Sequence, residues 1–156
     1  MNQSRRDLLK ATGGVTVVAL AASAGVFKSG EAKAQEWNKA AFDTKNLQDT
    51  VKAFGGAAAT ESKDIAITSP DIAENGAVVP VSVASKLGKT ESISILVEKN
   101  PNALSASFDI PGGTEAFVST RVKMAQTSNV YALVKADGKY FYATKEIKVT
   151  LGGCGG

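Results

Sequence analysis

The 156-residue chain has the hydrophobic content (44%) and charged content (21%) of an ordinary globular protein, and its length supports one small domain once a targeting segment is set aside. It contains no histidine, which removes the usual neutral-pH general base, the Ser-His and Cys-His nucleophile pairs and the commonest metal ligand, while its single cysteine, Cys154, excludes an intrachain disulfide and a Cys-rich zinc site. The formal charge of +3 lies in the first 34 residues: removing five basic and two acidic residues there leaves thirteen of each, without the basic surplus that drives nucleic-acid affinity.

The chain opens with Ser4-Arg5-Arg6-Asp7-Leu8-Leu9-Lys10, which resembles a twin-arginine export motif, with Arg5 and Arg6 as its signal residues. A mild apolar run from Val15 to Val26 follows, too short and alanine-rich to span a bilayer, which needs ~20 apolar residues. It ends at Ala32-Lys33-Ala34, a small-x-small cleavage pattern. The expectation is a signal peptide over 1–34, a mature start at Gln35 and a periplasmic protein. The twin-arginine route resembles a path for proteins that fold before crossing. With no cofactor ligands on view, a partner subunit carried across in a folded complex is the expected reason for using it.

Asn46 to Phe54 reads as a short helix, with Leu47, Val51 and Phe54 at helical spacing and Gly55-Gly56 as the stop. Its apolar stripe is expected to pack on a sheet. From Ile65 the period changes to two. Ile65 and Ile67 form one strand, ended by Ser69-Pro70-Asp71, and Val79, Val81 and Val83 line a second after Asn75-Gly76. Ile93, Ile95 and Val97 line a third, which Asn100-Pro101-Asn102 turns. Leu104, Ala106, Phe108 and Ile110 make a fourth before Pro111-Gly112-Gly113, and Val118, Thr120, Val122 and Met124 a fifth. Val130 to Ala136 and Lys139 to Leu151 flank Asp137-Gly138, the dipeptide of a tight hairpin whose two central residues both need positive φ. About seven short strands in about 90 residues, after one helix, predict an immunoglobulin-like antiparallel β-sandwich over 35–151. Phe141, Ala143, Ile147, Val149 and Leu151 would face inward in the last strand, anchoring it until the glycines begin.

The remaining segment is Gly152-Gly153-Cys154-Gly155-Gly156. Cysteine is among the most buried residue types, yet glycine pairs offer it no core to enter. Glycine samples both signs of φ, so Gly152 and Gly153 are expected to act as a flexible tether and Gly155 and Gly156 to leave no bulk beyond the sulfur. At ~3.5 Å per extended residue the thiol reaches roughly 10 Å from the domain, which suits insertion into another protein's pocket. No helix N-terminus, cation or base is fixed beside such an arm to lower the thiol pKa. Activation must come from partner active sites, so the sequence describes a covalent substrate carrier with Cys154 as the attachment point, not an enzyme, with no catalytic residue, metal or cofactor of its own. Three other readings stay open: an incidental cysteine on a frayed tail, an intermolecular disulfide through Cys154, and charging at Gly156 as in ubiquitin-like sulfur carriers. Leu151-Gly152-Gly153-Cys154 also resembles a bacterial lipobox, which its position far from the N-terminal signal excludes.

The arm, the Arg5-Arg6 leader, the stretch Ser119-Thr120-Arg121-Val122-Lys123-Met124-Ala125, the Ala136-Asp137-Gly138-Lys139 turn and the Val149-Thr150-Leu151 lead-in together resemble the SoxY family, the carrier subunits of the SoxYZ thiosulfate-oxidation complex. The resemblance implies a heterodimer with a SoxZ-like subunit and sulfur intermediates held on Cys154 through a reaction cycle. It also implies transient contacts with the c-type cytochrome SoxXA, the hydrolase SoxB and the sulfane dehydrogenase SoxCD, whose haems, manganese and molybdenum belong to those partners. Of the remaining candidates, Lys145 reads as a strand-edge or interface lysine rather than an anion contact. Tyr131, Tyr140 and Tyr142 suit either cross-strand packing or a partner groove, and Trp37 a tether to the domain or partner.

Overall fold

The computed structural model describes residues 38–151, which fall within one compact unit. The signal segment, Gln35 and Trp37 lie outside the described residues. Nine strands in two sheets are preceded by two short helices. Helix α1 spans Lys39–Phe42 and α2 spans Leu47–Ala53. The strands are β1 (Ala59–Glu61), β2 (Ile65–Thr68), β3 (Ile72–Ala73), β4 (Val79–Ser85), β5 (Thr90–Val97), β6 (Leu104–Asp109), β7 (Phe117–Val122), β8 (Ser128–Ala136) and β9 (Lys139–Val149). The larger sheet runs β1-β9-β8-β5-β6 with β3 also on β9, and the smaller runs β2-β4-β7.

The two sheets face each other because their alternating residues meet. Val79, Val81 and Val83 of β4, with Ile65, Val118 and Val122 beside them, close on Ile93, Ile95 and Val97 of β5 and on Val130, Ala132, Val134 and Ile147. The predicted mainly β, immunoglobulin-like sandwich is therefore observed, with two additions. Strands β1 and β3 are too short to show a period, and both pair parallel with β9, at Tyr140–Tyr142 and at Lys148–Val149. Between them the chain crosses to the other sheet as β2, so one stretch of chain serves both layers.

The outer face of the larger sheet is buried as well. Asn46 caps α2, accepting the Asp49 N–H at 2.9 Å, and the helix turns Val51 inward with Leu47 and Phe54 beside it. They pack with Leu96, Leu104, Leu133 and Tyr140, as the helical spacing predicts. This covering explains why all of Ile93 to Val97 is buried, where a sheet with one wet face would alternate. Ser94 on that face is satisfied by Ser107, hydroxyl to hydroxyl at 2.8 Å. The four-residue α1 was not expected; Asn38 caps it through the Ala41 N–H.

The Asp137-Gly138 hairpin is formed as predicted, with φ of 49° and 73°. It fixes the β8–β9 register over nine consecutive pairs, Ala136 with Lys139 through to Ser128 with Ile147. At the helix end, Gly56 is required by proximity: a Cβ there would lie 2.5 Å from the Tyr140 ring and 2.8 Å from Val51. The Tyr140 hydroxyl donates to the Phe54 carbonyl at 2.9 Å, holding the ring in place. Gly56→Ala is expected to lower unfolding stability by about 1–3 kcal/mol, whereas Gly88→Ala, into open space, should stay within about 0.5 kcal/mol; urea denaturation of the two variants measures the difference.

Candidate functional site

Cys154, its glycines Gly152, Gly153, Gly155 and Gly156, and the export pair Arg5 and Arg6 all lie outside the described residues. What the structure supplies is the root from which the cysteine segment departs. Strand β9 carries it. Ile147 is the last fully buried residue, and Val149 remains half-buried. Beyond that point the backbone is held by hydrogen bonds instead of burial. The Lys148 N–H donates to the Asp71 carbonyl at 2.9 Å and the Val149 N–H to the Thr127 hydroxyl at 2.9 Å. The Thr150 N–H reaches the Ala73 carbonyl at 3.1 Å, and its hydroxyl the Glu74 carbonyl at 3.1 Å. Last, the Leu151 carbonyl accepts from the Gly76 N–H at 2.7 Å, while the Gly76 carbonyl accepts from Met124.

This corrects one expectation. Leu151 does not face the core; it is 61% exposed. The strand ends at Val149, and the following bend breaks the alternation that would have turned Leu151 inward. The root is anchored as far as expected, but by the loop from Asp71 to Val78 rather than by a buried leucine.

Lys145 belongs to the same structure. Its ammonium donates to the Ser69 carbonyl at 2.6 Å and pairs with the Asp71 carboxylate at 2.9 Å. The strand-edge reading is correct: Lys145 ties the β2–β3 connection to the stretch of β9 between the two parallel pairings. Hydrogen bonding from Lys145, reinforced by its charge, holds the exposed Asp71 carboxyl below the usual carboxylate range.

The tyrosines divide. Tyr131 and Tyr142 meet edge to face at 6.1 Å, and Tyr131 also donates to Glu98 at 3.3 Å. Tyr140 is buried under α2. Burial foremost raises the phenol pKa of both Tyr131 and Tyr140, so neither exchanges a proton near neutrality. The other perturbed pair is Glu91, lowered chiefly by its bond from Lys135, and Lys135, raised chiefly by Glu91, 2.7 Å apart. These are packing and pairing effects away from the root. Among the described residues no three of His, Cys, Asp or Glu lie together as a metal site.

Two cavities lie near the hairpin. One of about 420 Å³ is lined by Gly55 to Ala58, Thr60 and Gly138 to Phe141; another of about 320 Å³ lies between Ser85 to Thr90 and Pro111 to Ala116. Lys139 stands ten residues before Val149, about 33 Å along an extended strand. A thiol three residues past Leu151 has a reach of about 10 Å, so neither cavity can receive it. Among the described residues the domain offers the cysteine no chemical machinery of its own.

With that geometry described, the comparisons decide the relationship. The family model for the sulfur oxidation protein SoxY matches residues 50–154, ending on Cys154. The chain belongs to the SoxY family. The solved structure of the sulfur carrier protein SoxY from Chlorobium limicola f thiosulfatophilum is 42% identical. The match covers 65% of this chain and 92% of that one, with a TM-score of 0.59. Two structures of superoxide reductase (neelaredoxin) from Ignicoccus hospitalis, one of them a point variant, also match, at 22% identity and a TM-score of 0.48. Each covers 55% of this chain and 78% or 79% of the other, a likeness too slight to bear on function. A search of curated proteins found no match. Membership makes the chain a sulfur carrier of sulfur oxidation, and the motif segments find their places: Ser119 to Ala125 runs from β7 into the loop beside Gly76, and Ala136 to Lys139 is the hairpin.

The root residues Asp71, Gly76 and Thr127 were not singled out by sequence. The one local signal was Lys145, a charge in an inward register. Replacing it by Met should return the Asp71 carboxyl to the ordinary range, read by carboxyl NMR titration. Because the folded value is depressed, the pair's stabilisation is present above the ordinary carboxylate range and is lost as pH falls through the lowered value; the variant should lack that step.

Proposed function

We propose that this protein is a periplasmic carrier that holds thiosulfate-derived sulfur on Cys154 and presents it to partner enzymes, without catalysing the steps itself. The observation that carries the reading is the root: a strand fixed by hydrogen bonds up to Leu151, directly before Gly152-Gly153-Cys154 in a family match that runs to the cysteine. A rigid base and a glycine tether deliver a thiol outward, and a thiol with no local activation waits for a partner's base or oxidant.

Membership of the family implies a SoxYZ complex with a SoxZ subunit. In the proposed cycle a c-type cytochrome of the SoxXA kind couples thiosulfate to Cys154. One S–S bond forms, the thiol proton is released and two electrons pass to haem, leaving a cysteine S-thiosulfonate. A hydrolase of the SoxB kind then adds water to the terminal sulfonate, releasing sulfate and a proton and leaving a persulfide. A SoxCD-like sulfane dehydrogenase, where present, oxidises that persulfide further. The resident chain contributes the attachment sulfur and its delivery.

Cys154→Ser is expected to abolish thiosulfate-dependent sulfate formation while leaving the fold and the SoxZ contact intact. Intact-mass and peptide spectrometry after thiosulfate feeding should place the adduct on Cys154. Retained sulfate formation, a modification at Gly156, or a disulfide-linked dimer as the sole modified species would each overturn the carrier reading.

The leader supports export by the twin-arginine route, with the SoxZ-like partner carried across in the folded complex. Deleting residues 1–34 should leave both subunits in the cytoplasm. A partner that still reaches the periplasm has its own signal and ends that part of the proposal.

A further inference from the structure

Among the described residues, the large apolar side chains that stand exposed are Ile72 (57%), Val78 (53%), Phe117 (49%) and Leu151 (61%). Scattered exposed aliphatics are ordinary. Here three of the four come from separate segments and converge on one place, the root of the cysteine arm. Ile72 pairs across from Lys148 in the β3–β9 ladder, and strand alternation sends Ala73 into the core and Ile72 outward. The Gly76 N–H clasps the Leu151 carbonyl, and Val78 follows two residues later, immediately before β4 turns Val79 inward. Exposed Glu74, Lys123 and Lys148 stand around this corner. Phe117 lies elsewhere, opposite Ala84 at the far end of β4.

We propose that Ile72, Val78 and Leu151 form an apolar collar on which the thiosulfate-coupling haem enzyme seats the rim of its active-site mouth. The inference rests on the carrier reading above and adds the surface that makes delivery productive. The decisive quantity is reach. Cys154 is the third residue after Leu151, so even a fully extended chain carries its thiol only about 10 Å from that root. An enzyme whose oxidising centre lies inside a pocket can meet the thiol only by bringing the pocket rim to the surface around Leu151. That surface is the collar.

The composition suits such a contact. A small apolar centre with charged residues at its edge is the anatomy of a transient interface. A carrier must leave after each turnover, so a few aliphatic side chains give enough complementarity to orient the arm without holding the complex together. The coupling step itself is unchanged: the S–S bond forms on Cys154, its proton is released, and both electrons go to the enzyme's haem.

The test uses the full-length carrier with its SoxZ-like subunit and a purified SoxXA-type cytochrome, following the Cys154 thiosulfonate by intact mass at carrier concentrations below KM. Ile72→Thr and Val78→Thr keep β-branched shape, expose no core and lie off the arm, but force hydroxyls into the docked contact. The double variant is expected to lower kcat/KM for coupling about tenfold or more, mainly through KM. Its reaction with a small aromatic disulfide, which needs no docking, should match wild type. Phe117→Ser, an exposed apolar change outside the collar, should leave coupling at the wild-type rate.

Equal coupling by the double variant and wild type overturns the collar while leaving the carrier reading intact. So does an equal loss in Phe117→Ser, or loss of the SoxZ-like subunit from the double variant, which would make this corner the heterodimer interface. A concentration-dependent self-association of the wild type that the double variant abolishes also overturns it, since a second copy would then be the occupant. Failure of wild-type carrier to couple thiosulfate at all is the distinct result that removes the carrier reading beneath it.

Discussion

The architecture depends on one strand. β9 pairs antiparallel with β8 for nearly its whole length and is flanked on its other edge by β1 at one end and β3 at the other. It begins in a two-residue turn that sets its register and ends where Gly76 grips Leu151. A strand held at both edges cannot fray from its end without breaking several hydrogen bonds that buried Ile147 keeps dry. That rigidity gives a tethered cysteine a defined point of departure.

The rest of the fold supports this strand from three sides. The valines of the smaller sheet cover its inner face. The two short helices and Tyr140 cover the outer face near the hairpin, where Gly56 makes room for the ring. Lys145 fills the gap along the edge where β1 has ended and β3 has not begun, bonding to the Ser69 carbonyl and the Asp71 carboxylate. The ion pair is exposed on the Asp71 side, so its Coulomb attraction counts for little in water. Its role is geometric, holding the Asp71 segment where the backbone of Lys148 can use it.

Function follows from a division of labour between rigid and reactive parts. The buried tyrosines, ion pairs and paired hydroxyls of the sandwich are occupied in packing, and both cavities near the hairpin lie too far away for the thiol to reach. A carrier benefits from such chemical quiet: a cysteine that met a base or a cation on its own domain would be a thiolate before its partner arrived. Short reach then becomes a recognition device, because it obliges any enzyme that takes the thiol to touch the ground from which the arm springs.

Much of this was legible from sequence alone. The change of period from helical to two, the Asp137-Gly138 turn and the alternation of Val79, Val81 and Val83 or Ile93, Ile95 and Val97 are local signals, set by steric rules acting within a few residues. So is the chemistry of Gly152-Gly153-Cys154-Gly155-Gly156, which follows from residue types and needs no fold. The tertiary structure alone decided what lies far apart in the chain. Two-residue and three-residue strands such as β1 and β3 carry no period and exist only because β9 offers them an edge. Leu151 left the core because a bend interrupted its alternation, and Ile72 and Val78 came beside it through hydrogen bonds from Ala73, Glu74 and Gly76. Residue type and spacing determined that a cysteine would be presented; long-range backbone pairing decided from where, and beside what.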